Sequence, residues 1–461
     1  MNRLILAVAG HVDHGKAALV KALTGTDTDT LPEEKRRGLT IEPGFAVLPL
    51  PDGGEADLVD VPGHERFIRG MLAGAAGADG VLLTVDAGEG IMPQTREHLA
   101  LCALLGMERG IVAITKADLA DAGRLARVKA DCAALTAGTF LDGAPILPVS
   151  AKTGLGLDAL RRAIAALPPR RRRVDLPFRL EVDRRFSLPG RGTVAAGTVS
   201  AGQVSPGDMP ALYPGPGTVR VRELQRHGVG AERLEAGNRA ALLLSGDAAS
   251  VKKGDTLAAP GSMVLTDRAD VHLALLADSP FSVRHGAQLR LHHGAAALTC
   301  RCVFFDRAEL LPGETCFAQL RLAAPMAARM GDRFVVRSLS PAATVGGGVL
   351  LDLSPRHKKK DPGLAERLSA LASPDPLRRM AAALELHAFP QTLEALAMAA
   401  GLSPAEGQAA LDALARTEKA VPLGEFWLSA SAMEALARRA AELLDGWHAA
   451  RPLEPGMGEQ A

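Results

Sequence analysis

The chain has 461 residues, of which 47% are hydrophobic, and its formal net charge at pH 7 is +1. This length predicts roughly three domains, and the balanced charge excludes a chain-wide attraction to nucleic acid or to a membrane surface. No apolar run reaches transmembrane length, and the N-terminus lacks the layout of a signal peptide. The five cysteines show neither paired nor metal-binding spacing, which fits a reducing cytosol. From these features together we expect a cytoplasmic protein with no membrane contact.

The first predicted elements form the phosphate-binding turn of a P-loop. A buried strand over residues 4–8 is followed by Gly10-His11-Val12-Asp13-His14-Gly15-Lys16 and then by a helix over 17–23. Such a turn directs backbone N–H groups at phosphate oxygens, and its lysine reaches the β- and γ-phosphates. The motif calls for Ser or Thr after the lysine as a Mg²⁺ ligand, whereas this chain has Ala17.

Short apolar strands alternate with helical stretches from residue 1 to about 168. This alternation predicts a parallel sheet with helices on both faces. Further strands are predicted at 57–61, 81–85, 111–115 and 146–149, with a helix over 92–105 between two of them. Ligands bind at the carboxyl ends of the strands in such sheets, and the next three motifs all lie there.

The first of these motifs is Asp60-Val61-Pro62-Gly63-His64-Glu65. We expect Asp60 to hold Mg²⁺ through water, the Gly63 N–H to face the γ-phosphate, and His64 to be the catalytic residue that orients the attacking water. The charged segment 31–42 precedes this motif, and it is typical either of a solvated loop or of a switch whose Thr40 contacts Mg²⁺ and γ-phosphate in the GTP-bound state.

The other two motifs, Thr115-Lys116-Ala117-Asp118 and Ser150-Ala151-Lys152, predict a guanine pocket. A carboxylate at Asp118 accepts both N–H donors of the guanine edge, which adenine cannot match. The motifs together predict GTP as the ligand and Mg²⁺ as the cofactor, with Thr40 and Asp60 as metal ligands. The predicted nucleotide-binding residues are Gly10, His11, Val12, Asp13, His14, Gly15, Lys16, Ala17, Thr40, Asp60, Gly63, Thr115, Lys116, Asp118, Ser150, Ala151 and Lys152.

After residue 168 the sequence pattern changes three times, first to a basic linker, then to β-like runs and finally to helices. Four consecutive arginines at 170–173 fit either RNA phosphate contacts or a solvated hinge. Short β-like runs with Gly and Pro turns then predict two small barrels, and helices around a short hairpin follow them. The predicted architecture is multidomain: an α/β P-loop GTPase domain (1–168), a basic linker (169–177), two β-barrel domains (178–258 and 263–354) and a C-terminal winged-helix module of α+β class (361–449).

One predicted strand of the first barrel carries a charge that needs an explanation. Its apolar residues alternate at 178, 180, 182 and 186, and Arg184 falls in the same phase. A charge on an apolar face requires a position at the barrel rim, an ion pair or a ligand.

Several of these motifs resemble a known family. The P-loop and the segments 37–41 and 60–65 are similar to translational GTPases of the elongation factor Tu superfamily, and the segments 31–38, 71–74 and 92–99 narrow the resemblance to the bacterial selenocysteine-specific elongation factors of the SelB type. The resemblance implies a monomer that delivers selenocysteinyl-tRNA to the ribosome at recoded UGA codons and hydrolyses GTP after decoding.

The resemblance also implies an aminoacyl site and an RNA-binding end. It places Asp183, Arg184 and Arg239 around the aminoacyl group, where arginines favour a selenolate because a selenol is ionised at neutral pH. Members of this family carry four winged-helix modules, and the last two bind an mRNA hairpin. Residues 450–461 resemble the start of a second module, so we expect an mRNA hairpin as a partner only if the missing modules exist.

Two other interpretations stay open. Ala17 removes a Mg²⁺ ligand, and Thr30 and Pro43 also depart from the family pattern, which is consistent with a nucleotide-binding homologue with impaired turnover. The nearest competing family is the gamma subunit of initiation factor two, an initiator tRNA carrier. Its zinc-knuckle-like insertion and its end after the third domain do not match this sequence.

Overall fold

A computed structural model of the chain describes residues 3–28, 34, 36, 40, 42–51, 53–64, 67–75, 77–168, 172–356 and 361–451. Several positions singled out above lie outside the described residues: Thr30, most of the segment 31–42, two of the linker arginines (170–171) and the C-terminal stretch 452–461.

The first domain is built on a six-stranded sheet in the order β2-β3-β1-β4-β5-β6, in which only β2 is antiparallel to its neighbour. Its strands are β1 Arg3–Gly10, β2 Gly44–Pro49, β3 Glu55–Asp60, β4 Gly80–Asp86, β5 Gly110–Thr115 and β6 Ile146–Pro148. Its helices are α1 Lys16–Thr24, α2 Ile68–Ala75, α3 Pro93–Leu104, α4 Ala122–Thr136 and α5 Leu157–Ala165. This α/β architecture confirms the fold class predicted for the first part of the chain.

The central strand β1 is apolar on both faces because helices cover both faces of the sheet. Ile5, Ala7 and Ala9 belong to one buried cluster, which α2, α3 and α4 complete. Leu4 and Leu6 point to the opposite cluster, which includes residues of α1 and α5. The carboxyl ends of β1, β3 and β5 therefore meet at one edge of a rigid sheet.

The second domain forms a curled antiparallel sheet with the strand order β10-β15-β7-β8-β14-β11-β12, and a small pair, β9 and β13, accompanies it. Leu212 near one end of the sheet and Val221 near the other share one buried core, so the sheet wraps around that core. Backbone hydrogen bonds from the Leu212 N–H to the Gly217 carbonyl and from the Val219 N–H to the Pro210 carbonyl, at 2.8 and 3.0 Å, link the β10 end of the sheet to the start of β11, as a small barrel requires. The strands are β7 Arg179–Leu188, β8 Gly192–Ala201, β9 Gln203–Val204, β10 Ala211–Tyr213, β11 Val219–Arg226, β12 Val229–Ala231, β13 Leu234–Glu235, β14 Arg239–Gly246 and β15 Thr256–Ala258.

A β-bulge in β7 places Arg184 on a different face of the strand from the apolar face that the sequence alternation predicted. The pairing of β7 with β8 shifts between Val182 and Arg184, so one extra residue enters the strand there. Because side chains alternate with a period of two, the extra residue moves those beyond it to the other face. Val182 is fully buried, whereas Arg184 is half-buried and contacts the first domain.

The third domain is a closed barrel in the order β16-β21-β19-β18-β22-β23, and β17 pairs with β20 beside it. Cys300 and Cys302 lie in its core, where they pack as small apolar side chains. The strands are β16 Val264–Leu275, β17 Val283–Arg284, β18 Gln288–His293, β19 Ala296–Phe304, β20 Glu309–Leu310, β21 Thr315–Ala328, β22 Arg333–Arg337 and β23 Thr344–Asp352.

The C-terminal part contains a helical bundle and a three-stranded sheet in the order β24-β26-β25, as expected for a winged helix. The elements are α6 Leu364–Leu371, α7 Pro376–Glu385, β24 Gln391–Thr392, α8 Leu393–Ala399, α9 Pro404–Arg416, β25 Ala420–Leu423, β26 Phe426–Ser429 and α10 Ala430–Ala450. Helix α6 packs its leucines against Met330 and Leu351 of the barrel. None of the helices in the described part of the chain combines the length and the hydropathy needed to cross a membrane.

The linker is docked against its neighbours. Arg172 makes two hydrogen bonds with Asp79 of the first domain, at 2.7 and 2.6 Å, and the carboxylate of Asp79 is almost fully buried. Arg173 pairs with Glu406 of the winged helix at 2.9 Å. These two arginines are thus structural ion-pair partners, and neither the predicted solvated hinge nor an RNA contact describes Arg172.

Candidate functional site

The P-loop connects β1 to α1 as the sequence predicts. Gly15 adopts φ 77°, a left-handed conformation that glycine reaches without strain, and α1 starts directly after it. Lys16 donates to the carbonyl oxygens of Gly10 and His11, at 3.2 and 2.8 Å. The ammonium group is therefore folded back onto the loop, within reach of the place where phosphates bind.

Helix α3 fixes the backbone of the P-loop, a contact that the sequence motifs did not identify. Gln94 Oε1 accepts the Val12 N–H at 3.1 Å, and His98 Nδ1 accepts the Gly10 N–H at 3.0 Å. Burial, with a smaller contribution from the charge of Lys16, lowers the pKa of His98 to about 3. A neutral imidazole is required for this acceptor role, and the low pKa keeps His98 neutral at physiological pH.

The motif that follows β3 lies directly on the P-loop. A Cβ added to Gly63 would stand 2.6 Å from Lys16 Nζ and 3.1 Å from the Val12 nitrogen, so a side chain there would require Lys16 and the P-loop backbone to shift. His64 is half-buried, and its ring lies 6.0 Å from that of Phe67, edge to face. The predicted catalytic histidine is thus adjacent to the phosphate-binding turn.

The predicted metal ligands are oxygen donors, which suit Mg²⁺. Asp60 is fully buried at the end of β3, and Thr40 is buried. Thr28, which no motif singled out, donates its hydroxyl to Asp60 Oδ2 at 2.9 Å. Ala17 offers no oxygen in the first turn of α1, so the donor set fits Mg²⁺ with one ligand fewer than the motif supplies.

The predicted guanine residues line one cavity of about 490 Å³ beside Gly15 and α1. Asp118 is exposed towards solvent, whereas Lys116 is anchored by an ion pair of 2.7 Å with Asp86. The Thr115 hydroxyl donates to the His14 carbonyl at 2.8 Å and so joins this cavity to the P-loop. The motif residues that line the cavity are Gly15, Thr115, Lys116, Asp118, Ser150, Ala151 and Lys152.

A second cavity, of about 430 Å³, opens where the first and second domains meet. We call it the junction cavity; it is lined by Glu42, Asp183, Arg184, Arg185, Ala249, Val251, Lys252 and Lys253. It brings together two of the three residues predicted for the aminoacyl group. Lys253 was not identified from the sequence, because a lysine in a β-turn carries no motif.

Arg239, the third predicted aminoacyl residue, is held by two partners. Its guanidinium makes hydrogen bonds of 2.5 and 2.8 Å with Asp183, and it lies 3.3 Å above the ring centroid of Phe45 on β2. A bidentate pair with cation–π stacking fixes Arg239 between the two domains.

A third cavity, of about 390 Å³, lies between the first and third domains and is strongly basic. Arg69, Arg290, His292 and Arg337 line it. Burial, followed by the charges of Arg337 and Arg69, lowers the pKa of His292 to about 4. Three arginines facing one open cavity favour the binding of a polyanion.

Comparisons with known proteins agree with this architecture. Residues 1–170 match the family described as the elongation factor Tu GTP binding domain, and residues 266–357 match the selenocysteine-specific elongation factor beta-barrel domain. The selenocysteine-specific elongation factor of Desulfomicrobium baculatum is 43% identical over 374 residues, which are 80% of this chain and 59% of that protein. A translation initiation factor 2 subunit gamma from Thermococcus kodakarensis is 37% identical over 211 residues, 41% of this chain and 52% of that protein.

A solved structure extends the similarity to the winged helix. The crystal structure of a bacterial selenocysteine-specific elongation factor, EF-Sec, superimposes with a TM-score of 0.83 at 31% identity, and the match covers 97% of this chain and 73% of that one. This chain thus spans about three fifths of the curated relative's length. Sequence identity, the two family matches and the shared architecture together show that the chain belongs to the selenocysteine-specific elongation factors.

Proposed function

We propose that this chain binds GTP and delivers selenocysteinyl-tRNA to the ribosome at recoded UGA codons, with hydrolysis of GTP after decoding. One observation carries the proposal: the nucleotide cleft and the junction cavity are connected by a single short segment. Thr40, a predicted nucleotide contact, is followed closely by Glu42 in the junction cavity and by Phe45 under Arg239. This connection is what a factor needs if its nucleotide controls its cargo.

The nucleotide roles follow from the geometry of the cleft. The edge of guanine would be held by the exposed carboxylate of Asp118, and the phosphates by the P-loop amides and Lys16. Lys16 must exchange its two carbonyl partners for phosphate oxygens. His64 would orient the attacking water. Bound Mg²⁺ would neutralise charge on the phosphates, and Asp60 with Thr40 would hold it.

The cargo roles rest on charge. Arg184 and Lys253 line the junction cavity. A selenolate is an anion, whereas the hydroxyl of serine is neutral, so these two cations would favour the selenocysteinyl group. The basic cavity around Arg69, Arg290 and Arg337 supports contacts with RNA phosphates. We expect the factor to act as a monomer with the ribosome as partner, and an mRNA hairpin as a partner only in a chain that carries further winged-helix modules.

A second candidate function is a nucleotide-binding homologue with impaired turnover, which is favoured by Ala17. Its fold and its guanine pocket would be unchanged, because the cradle is made by the backbone. Single-turnover hydrolysis measured at saturating Mg²⁺ with ribosomes separates the two: stimulation by ribosomes supports the delivery factor, and its absence supports the homologue.

Binding measurements test the proposed cargo. With a GTP analogue bound, we expect selenocysteinyl-tRNA to bind more tightly than seryl-tRNA on the same tRNA body. Arg184→Gln should weaken the first about fivefold, since a partly exposed charge pair contributes up to about 1 kcal/mol, and leave the second near its baseline. Equal losses for both would mean that Arg184 serves the tRNA body or the fold.

Nucleotide exchange tests the guanine pocket. Asp118→Asn reverses the donors and acceptors offered to the base edge, so preference should shift from guanine towards xanthine nucleotides. Asp121→Asn is the matched control, because Asp121 caps α4 by accepting the Arg124 N–H at 2.7 Å and Asn caps equally well. Unchanged GTP binding in Asp118→Asn would contradict the assignment.

A further inference from the structure

We propose that Glu42 is a built-in counter-ion that occupies the anion site formed by Arg184 and Lys253, and that it leaves this site when bound GTP repositions Thr40. The inference rests on the proposed function and adds a regulation of the same site. It also makes Lys253 a specificity-determining residue for the aminoacyl group.

The first observation is that Glu42 bridges two cations from separate parts of the second domain, Arg184 in strand β7 and Lys253 in a turn. Its Oε1 lies 3.2 Å from Lys253 Nζ, and its Oε2 lies 3.7 Å from Arg184. Arg184 also donates to the Pro43 carbonyl at 3.4 Å. A carboxylate between two cations is the arrangement that another small anion would take in its place.

The second observation is that these charges remain accessible. The side chains of Glu42, Arg184 and Lys253 are 38%, 38% and 41% exposed, and all three line the junction cavity. A ligand group entering the cavity can therefore reach both cations. Pairs with this exposure are weak, so a competing anion can displace the carboxylate.

The third observation is that the charge of Arg239 is already neutralised by a carboxylate. Its guanidinium is committed to the Asp183 carboxylate, which is only 10% exposed, and it is stacked on Phe45. The pair is neutral as a whole and serves to join β14 to β2. Among the four cations that line the cavity, Arg184 and Lys253 are the two that pair with Glu42, so we assign the charge discrimination to them, and Glu42 is the acid that offsets them.

The fourth observation couples Glu42 to the nucleotide. Its Cα is two residues from that of Thr40, so the two lie within about 7 Å along the chain. On the other side, β2 begins at Gly44 and is held in the sheet opposite Asp60. A shift that brings Thr40 to the phosphates must be absorbed by the few residues before Gly44, and Glu42 is among them.

The consequence is a cargo site whose charge depends on the nucleotide. With Glu42 in place, one of the two cations is neutralised and a selenolate must compete with a tethered carboxylate. With Glu42 withdrawn, both cations face the cavity. The affinity for a neutral seryl group does not change when Glu42 is withdrawn. The movement of Glu42 therefore alters the discrimination between selenocysteinyl and seryl groups and not the affinity for tRNA in general.

Two variants and a matched control test the inference. Glu42→Gln removes the charge and keeps the shape, and Lys253→Met removes one cation. Glu55→Gln is the control, because Glu55 also joins the first and second domains, through an ion pair of 2.6 Å with Arg226, but lies outside the junction cavity. For each protein, the dissociation constants of selenocysteinyl-tRNA and seryl-tRNA are measured with GDP and with a non-hydrolysable GTP analogue.

We expect Glu42→Gln to tighten selenocysteinyl-tRNA binding about fivefold in the GDP state, with seryl-tRNA unchanged and little effect in the GTP-analogue state. Lys253→Met should weaken selenocysteinyl-tRNA binding by a similar factor in the GTP-analogue state alone. Glu55→Gln should change none of the ratios. Raising the salt concentration should reduce both effects, because the charges are exposed.

The outcomes separate this inference from the proposed function. A wild-type chain that binds both tRNAs equally in every nucleotide state would overturn the proposed function itself. If the wild type discriminates but Glu42→Gln shows the same ratio of affinities with GDP, the counter-ion inference fails alone. A gain for both tRNAs, or the same gain in Glu55→Gln, would also overturn it, since a change in domain packing would then be the cause.

Discussion

Ala17 lies in the first turn of α1, next to Lys16, the lysine of the P-loop motif. Its methyl group stands where the P-loop motif provides a hydroxyl for the metal. The rest of the oxygen set is present, and it includes the Thr28 hydroxyl bonded to Asp60. We therefore expect the residue at position 17 to set how strongly the cleft would hold Mg²⁺, while the P-loop backbone and the predicted guanine pocket are built from other atoms.

Restoring the hydroxyl with Ala17→Thr should lower the Mg²⁺ requirement for GTP binding and raise the rate of hydrolysis. One charge-assisted ligand is worth roughly 1.5–3 kcal/mol, or about tenfold to a hundredfold. A Mg²⁺ titration of fluorescent-nucleotide binding measures the first effect without hydrolysis. Thermal stability without nucleotide should change little, apart from the small helix propensity difference between Ala and Thr.

Ala126→Thr is the matched control, since it makes the same substitution on the exposed side of α4, away from the residues that line the nucleotide cavity. It should leave the Mg²⁺ dependence unchanged. If Ala17→Thr also leaves it unchanged, another group already fills the coordination position, and Thr28 is the first candidate because of its bond to Asp60.

His98 should make the stability of the chain depend on pH. The pKa of His98 in the folded chain is about 3, below its ordinary value of 6.5. Between these two pH values the unfolded chain binds a proton at His98 and the folded chain does not. Stability is therefore lost as the pH falls from 6.5 towards 3. His98→Asn keeps an acceptor for the Gly10 N–H and removes the proton. In urea unfolding, the wild type should lose roughly 1 kcal/mol more than the variant between pH 7 and 5.5, and equal losses would show that His98 is not the group responsible.

Among the elements, helix α3 connects the nucleotide loop to the third domain. Gln94 and His98, four residues apart, hold the P-loop backbone. Glu97, which lies between them in the sequence, accepts the Thr344 hydroxyl at 2.8 Å and stands 3.8 Å from Arg337. The helix thus contacts both the nucleotide site and the barrel.

Substitutions at Gln94 and at Glu97 should have separable effects. Gln94→Ala leaves the Val12 N–H without its acceptor, so nucleotide affinity should fall about fivefold, corresponding to about 1 kcal/mol. Glu97→Ala should keep nucleotide affinity and lower the melting temperature, because it loosens the barrel from the first domain. Nucleotide titration and calorimetry of both variants check this, and a loss of nucleotide affinity in Glu97→Ala would contradict the separation.

At the scale of the whole molecule, a buried ionic cluster joins the second and third domains. Asp332 contacts Arg179 at 2.6 Å and His293 at 2.9 Å, and Arg179 also pairs with Glu181 at 2.6 Å. Burial alone would raise the pKa of Asp332, but the charge of Arg179 and the hydrogen bond from His293 hold it well below its usual range. The two domains are therefore expected to unfold together.

Asp332→Asn removes one of the two carboxylates that contact the buried Arg179, and because Glu181 still pairs with Arg179 this should destabilise the joined domains by roughly 1.5–3 kcal/mol. Since the folded pKa of Asp332 is depressed, its contribution is complete above the ordinary value of 3.8 and disappears as the pH falls below it. Calorimetry should show a lower melting temperature at pH 7 and a smaller gap between variant and wild type near pH 3. Asp267→Asn, in an exposed pair with Arg268, should change neither, and an equal shift in that control would contradict the assignment.

The local parts of this protein were predictable because they depend on neighbours in the chain. The P-loop, the guanine motifs and the strand and helix runs are short, and their spacing carries the chemistry. The phase of Arg184 was not predictable, because an added residue in β7 only shows itself against the partner strand β8. The roles of the linker arginines were also hidden, since Asp79 and Glu406 are far from them in sequence.

The sequence by itself predicted the nucleotide type, the order of the domains and the resemblance to a family, because each of these rests on contiguous residues. Only the tertiary structure decided which side chains share a cavity. Glu42, Arg184 and Lys253 come from three separate stretches, and ion pairs between them exist because β2 of the first domain packs against the second. Long-range contacts of this kind depend on how domains dock, and no local pattern of charge or hydropathy encodes that docking.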